Sequence, residues 1–231
     1  MAIKISLEDL LNSGAHFGHQ TKRWNPKMED YLYGQEQGVH IFDLVKTKEA
    51  IEEALEFLTS SIKEGKSVLF LGTKKQIKER VRELGAATEF PYVNERWLGG
   101  TVSNFEQMKK SLKKLEDMKA GMANGEYAKH TKKERLLIDR EITRLERFFG
   151  GLKGLTKVPE ILFVVDTKRE IAAVREASRR GLTVVGIVDS NADPDMIDYP
   201  IPMNDDASKA LEYILGLVQE TILEAKKGKA K

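Results

Sequence analysis

The sequence predicts an α/β protein, a doubly wound parallel sheet carrying an inserted antiparallel α-helical hairpin of coiled-coil type. Three observations carry this. SVLFLGTKKQIKERVREL reads as a short apolar strand, a polar turn and a helix. EILFVVDTKREIAAVREA repeats that grammar near the other end of the chain, with Thr73-Lys74 and Thr167-Lys168 in the same place after the strand. Apolar runs alternating with helices belong to right-handed βαβ units, whose strands are covered on both faces, so the sheet is parallel and flavodoxin-like. Between the two halves, Phe105, Met108, Leu112, Leu115 and Met118, then Ile138, Ile142, Leu145, Phe149 and Leu152, recur three to four residues apart on either side of the polar ANGEYAKHT. Two narrow apolar stripes set among dense charges favour a hairpin over crossover helices lying on the sheet.

The elements follow in order. Residues 1–46 form an N-terminal helix and an extension. Ser6 with Asp9 fits a capping box, Leu7, Leu10 and Leu11 follow, and Gly14 stops the helix. The next stretch, HFGHQTKRWNPKMEDYLYGQEQGVHIFDL, is rich in turn formers and aromatics without a helical period, and is expected to be ordered but outside the core. Residues 47–102 and 154–225 form the sheet domain. Ala50, Ile51, Ala54, Leu55, Leu58 and Ile62 place an amphipathic helix over about 47–64. The two repeated units follow, with LTVVGIVDS as a third buried strand, YPIPMN as a short edge strand and a closing helix from 205 to about 227. The hairpin insertion spans 103–153, and 226–231 is a disordered basic tail.

Composition bounds the function. A chain of 231 residues suits one core plus an accessory lobe. It has no cysteine, which excludes disulfides and thiolate metal sites and suits a reducing compartment. Apolar runs are short, so the expectation is a soluble, cytoplasmic chain with no membrane contact. The formal charge is only +2, but residues 103–153 hold nine lysines and four arginines against eight acidic residues, leaving the remainder net acidic.

Motifs for catalysis are scarce. Neither GxGxxG nor GxxxxGK[ST] occurs, and LGTKKQ offers a phosphate one glycine and two lysines without a backbone cradle. DSNADPD imitates a calcium loop, but its sixth position is Pro194 and its twelfth Pro200, so it is an Asp/Asn/Pro turn. His16 and His19 are the candidates for a shared metal, although neighbouring Gly14 and Gly18 argue against a rigid presentation. No GxSxG elbow is present. The expectation is a chain that is not an enzyme, with no cofactor and no small-molecule substrate. The alternative is a nucleotide-binding α/β enzyme using the strand ends Thr73-Lys74 and Asp166-Thr167.

Nucleic acid fits better. TKRWNPKM sets Lys22, Arg23 and Lys27 around Trp24 and Asn25, and NERWLGGTVSN sets Arg96 and Trp97 beside Gly99, Gly100, Thr101, Ser103 and Asn104. Cations interleaved with flat aromatics and amides suit RNA, where phosphates take the charge and bases take stacking. Lys74 at its strand end, and Lys109 and Lys113 on the first arm helix, complete the candidate RNA-binding set. Trp97 reads as a buried anchor. Gly99 and Gly100 read as the hinge between sheet domain and arm, with Ser103 or Asn104 capping the first arm helix and its free amides open to a phosphate.

Taken together, GAHFGHQTKRWNPKM, GVHIFDLVKT, LFLGTKKQ, NERWLGGTVSNF, VPEILFVVDTKRE and VDSNADPDMIDYPIP with a following NDDA resemble the S-two family of bacterial small-subunit ribosomal proteins over essentially the whole chain. The resemblance implies a flavodoxin-like domain with a coiled-coil insertion, held late and peripherally on the small ribosomal subunit. It also implies a structural role in translation, contact with small-subunit ribosomal RNA and other subunit proteins, and a docking surface for small-subunit protein number one. Two departures stand out. Where the family usually has a basic residue and Asn-Gly, this chain has Glu36, Gln37 and Gly38, which puts an RNA contact from that turn in doubt; where the family usually has glycine before NDDA, it has Met203.

Overall fold

The computed structural model describes residues 5–229. Helix α1 (Leu7–Asn12) begins at Ser6, whose hydroxyl accepts the N–H of Asp9 at 3.2 Å. Only this half of the expected box forms, since the Ser6 N–H is turned toward the Tyr213 hydroxyl at 3.4 Å. Strands β1 (Phe17–Gln20), β2 (Leu32–Glu36) and β3 (Val39–Phe42) then make a small antiparallel sheet of order β1-β3-β2. Gln37 (φ 50°) and Gly38 (φ 80°) form the two-residue turn between β2 and β3, the conformation that a tight hairpin needs. The extension is therefore structured, and it reaches the interior: Met28 and Phe42 are buried in the main core, against the expectation that it lies outside.

Helix α2 (Leu44–Lys63) starts three residues before its first expected position, because Asp43 caps it by accepting the Val45 N–H at 2.9 Å. The sheet domain continues through β4 (Val68–Leu71), α3 (Lys78–Thr88) and β5 (Tyr92–Val93), a two-residue strand with too little apolar pattern to be read from sequence. The hairpin helices α4 (Phe105–Ala123) and α5 (Lys132–Phe149) follow. Then come β6 (Ile161–Val165), α6 (Ile171–Arg179), β7 (Thr183–Val188), β8 (Tyr199–Pro202) and α7 (Ser208–Lys229). Helix α7 occupies most of the stretch expected to be a disordered tail; residues 230–231 lie outside the described residues.

All strand pairings in the large sheet are parallel, in the order β5-β4-β6-β7-β8. Numbering those strands along the chain, this is the flavodoxin-like order in which the direction of winding reverses between the first and third strands, here β4 and β6. Period-two alternation splits each strand between two cores. Val68, Phe70, Phe163, Val185 and Ile201 face α2, α3 and α7, while Leu69, Leu71, Leu162, Val164 and Val184 face Trp97, the arm root and α6. Met203 has a side chain with 0% exposure in the first core and is not among the positive-φ residues, so the turn before Asn204 has no need of glycine there.

The hairpin differs from a free coiled coil at its base. Phe105, Met108, Leu112 and Leu152 are buried in the same core as the sheet's second face. Farther out Leu115 and Leu145 are still buried, but Ile138 and Ile142 are only half covered and Leu136 and Leu137 are exposed. Lys114 bridges to Glu141 at 3.0 Å and Lys119 pairs with Glu146, but exposed ion pairs add little, so the outer seam is held more weakly than the base.

Candidate functional site

Gly100, at φ +94°, turns the chain between sheet and arm in a conformation that L side chains rarely adopt. The loop it forms closes on Glu176 of α6. One carboxylate oxygen accepts the Val102 and Ser103 N–H groups at 2.8 Å each and the Ser103 hydroxyl at 3.0 Å. The other accepts the Gly100 N–H at 3.1 Å and the Trp97 indole N–H at 2.9 Å. Convergent amides of this kind form an anion-binding nest, and the anion here is the chain's own. Burial by itself would raise the Glu176 carboxyl, but the bonds from Ser103, Trp97, Val102 and Gly100 outweigh it and hold the group below its ordinary value.

The loop therefore departs from what its sequence leads one to expect. The amides expected to meet a phosphate are engaged by Glu176. Neither Ser103 nor Asn104 caps α4, since Asn104 occupies the cap position without a side-chain bond and Ser103 itself leans on Glu176. Thr101 is 5% exposed and donates to the Leu98 carbonyl at 2.5 Å, so it is not available to RNA. Trp97 is a buried anchor as expected, 7% exposed. Gly99 and Arg96 are exposed beside it.

The second concentration of polar groups lies at the carboxyl ends of β4 and β6, where ligands of doubly wound sheets usually sit. Lys74 is there, but only 9% exposed. Its ammonium meets Asp166 at 2.9 Å, Asp205 at 2.6 Å and Asp206 at 2.7 Å. Asp166 adopts φ 67°, a costly conformation for a residue with a side chain, and its carboxylate also accepts the Arg169 N–H at 2.9 Å. Glu170 pairs with Thr73. The cleft is thus filled from within, which withdraws Lys74 from the RNA-binding set and leaves no open cradle for a nucleotide phosphate. Burial opposes the charge on Lys74, yet Asp205 and its neighbours hold its pKa above the ordinary lysine value. Asp205 moves the other way: burial first, then the charges of Asp189 and Asp166, push it up to about 7 against the pull of Lys74. The two shifts agree once the charges are counted, because one ammonium cannot neutralise all the carboxylates around it.

The extension sits over the ends of β7 and β8. The Ser190 hydroxyl accepts the His19 N–H at 2.7 Å, the Ser190 carbonyl accepts the Asn25 N–H at 2.7 Å, and the Ala15 carbonyl accepts the Asn204 N–H at 3.0 Å. His19 reaches Asp189 at 2.9 Å, and that hydrogen bond is the main reason its pKa is raised. His16 lies just ahead of the strand, its ring tilted against Phe17 with centres 4.0 Å apart and its Nδ1 buried and unpartnered among the described residues. The two histidines are not brought together, and among the described residues no group of three or more histidine, aspartate or glutamate side chains is arranged to hold a metal ion.

The expected RNA cations divide. Lys22 and Arg23 are exposed; Trp24 is half-buried against His40, with ring centres 4.8 Å apart. Asn25 caps the turn that follows by accepting the Lys27 N–H at 3.1 Å. Lys27 is exposed but bridges Asp193 at 2.9 Å and Asp195 at 2.5 Å, so it ties the extension to the loop after β7. On the arm, Lys113 is exposed, and Lys109 lies over the Phe105 ring at 5.0 Å with Glu106 at 3.3 Å.

A shallow apolar groove was not foreseen. Leu7, Leu11, Tyr33, Ile41, Leu44 and Val45 line it between α1, the small sheet and the start of α2. Tyr33 is 82% exposed. In sequence these residues are scattered over two helices and two strands, and only folding assembles them. Glu176 was missed because nothing in REAS marks a glutamate that caps a loop more than seventy residues away.

The family described as ribosomal protein S2 matches residues 10–225. A small ribosomal subunit protein uS2 from Coprothermobacter proteolyticus is 44% identical over 225 residues, 97% of this chain and 84% of the relative. One from Roseiflexus is 46% identical over 220 residues, covering 95% and 84%. A third, from Petrotoga mobilis, is 44% identical over 225 residues, covering 97% and 78%.

Proposed function

Because the chain belongs to the ribosomal protein S2 family of the small ribosomal subunit, we propose that it is a structural component of that subunit in the cytoplasm, binding small-subunit ribosomal RNA and helping to dock small-subunit protein number one. The observation that carries the RNA reading is the arm's surplus of positive charge, displayed on two exposed helices. Lys22 and Arg23 on the extension and Arg96 and Lys113 near and on the arm are exposed cations suited to phosphate contacts that position the protein without reading sequence. The apolar groove beside Tyr33 supports the docking of a protein partner, since exposed clustered apolar side chains suit a protein interface.

The enzymatic alternative loses its main support at Lys74, whose ammonium is committed to three carboxylates. Gradient sedimentation of lysate separates the readings: the chain travels with the small subunit on the proposed function and stays at the top on the alternative. Titration of ATP, GTP and NAD against purified protein gives the second arm. Saturable micromolar nucleotide binding by the wild-type chain would overturn the structural role.

A further inference from the structure

Residues 168–180 contain five basic and two acidic residues. Folding engages both acids inside the protein, burying Glu170 and leaving Glu176 half-buried. Glu170 is buried and paired with Thr73, and Glu176 is turned into the arm-root loop with each of its oxygens accepting hydrogen bonds. Of the cations, Arg169 bonds the Thr73 hydroxyl and Arg180 bonds the Ser103 carbonyl. Lys168, Arg175 and Arg179 are exposed, and among the described residues none is paired with a carboxylate. Arg175 and Arg179 are one helical turn apart on the same row of α6, so their guanidinium groups project side by side, about 5–6 Å apart at their bases. By contrast α2, across the sheet, carries three lysines and four glutamates.

We infer that the outer face of α6, through Arg175 and Arg179, with Lys168 in the turn that precedes the helix, is a second phosphate-binding surface for ribosomal RNA, continuous with the root of the arm. This rests on the proposed RNA-binding function and extends it to a part of the sheet domain outside the arm and extension. Continuity is built into the fold, since Glu176 and Arg180 on the same helix both bond Ser103. RNA is the partner of matching chemistry. A guanidinium fork fits phosphate oxygens. The large exposed hydrophobic side chains lie elsewhere, at Leu7, Leu11, Phe17, Tyr33, Val45, Met122, Leu136 and Leu137. The α6 face therefore lacks the apolar anchors that a protein interface or a lipid surface uses.

The test uses the full chain and small ribosomal subunits stripped of it. Wild type, Arg175→Gln/Arg179→Gln and, as a reference, Lys110→Gln/Lys113→Gln on the arm are added back over a salt series, with binding followed by co-sedimentation. Neither arginine holds a carboxylate partner in the fold, so unchanged thermal melting is expected and certifies the variant. The slope of log affinity against log salt should shrink by about 1–2 for the α6 variant, as two counterion-releasing contacts are lost. An unchanged slope for this variant, with the arm variant reduced, would overturn the inference and leave the RNA reading standing. Weaker binding with an unchanged slope would also overturn it, because the arginines would then be touching protein. Wild type that fails to associate at any salt would remove the proposed function and this inference with it.

Discussion

Glu176 on α6 holds Ser103 at the arm root twice, accepting its backbone N–H at 2.8 Å and its hydroxyl at 3.0 Å. The same carboxylate binds Gly100, Val102 and Trp97, so one side chain sets the path of the chain as it leaves the sheet for the arm. Glu176→Ala strands several donors at once and is expected to cost ~2–3 kcal/mol; chemical denaturation reads it. Because the folded carboxyl lies below its ordinary value of 4.5, its contribution is present above that pH and is lost as pH falls. The variant's stability should therefore depend less on pH in the acid range than wild type, and equal acid sensitivity in both would refute the role.

Within the Lys74 cluster, Asp205 titrates in the opposite sense, whereas the hydrogen bond from Lys74 holds the more exposed Asp206 below its ordinary value. Asp205 binds its proton more tightly when folded, about 7 against 3.8, so its contribution is present at low pH and is lost as pH rises between those values. Asp205→Asn, which keeps an oxygen for Lys74, should flatten the stability profile from pH 4 to 7. Melting curves of the two proteins across that range decide it.

Removing the cation is the harsher change. Lys74→Met leaves Asp166 and Asp205 buried without their shared partner, and a loss of about 3–5 kcal/mol is expected. A loss below ~1 kcal/mol in urea unfolding would mean that water or another cation compensates the carboxylates.

The hairpin turn carries its own prediction. Gln37 occupies a positive-φ position ahead of Gly38, where asparagine is better tolerated. Gln37→Asn should raise stability by ~0.5 kcal/mol, seen as a small upward shift in Tm, and a decrease would argue that Gln37 makes a compensating contact.

For the arm, the depth of burial sets where it can be cut. Replacing residues 118–142 by a short Gly/Ser link keeps Phe105, Leu112, Leu115, Leu145 and Leu152, and should leave a cooperatively folded domain with weakened subunit association. Replacing all of 103–153 removes part of the sheet's second core and should severely destabilise the protein; Phe105→Ala alone is expected to cost about 3–4 kcal/mol. Cooperative unfolding of the longer replacement at the wild-type temperature would mean that the sheet needs no cover from the arm.

Much of this protein was determined by local sequence. Strands such as LFL and ILFVV declare burial on both faces, and the 3.6-residue periods of α2, α4 and α5 declare amphipathic helices, because each signal depends only on neighbours along the chain. Local signals also gave Gly100 as a hinge and Trp97 as an anchor. Tertiary structure alone decided what those elements meet. Lys74 read as a free cation at a strand end and became the shared partner of carboxylates from the turn after β6 and the turn before α7; Thr101 read as an RNA contact and turned inward. The amides of GGTVS read as a phosphate site until α6 brought Glu176 to them. In each case the local pattern specifies a capacity for binding an opposite charge, and only the long-range approach of another segment determines whether that capacity is met inside the fold or left exposed for a partner.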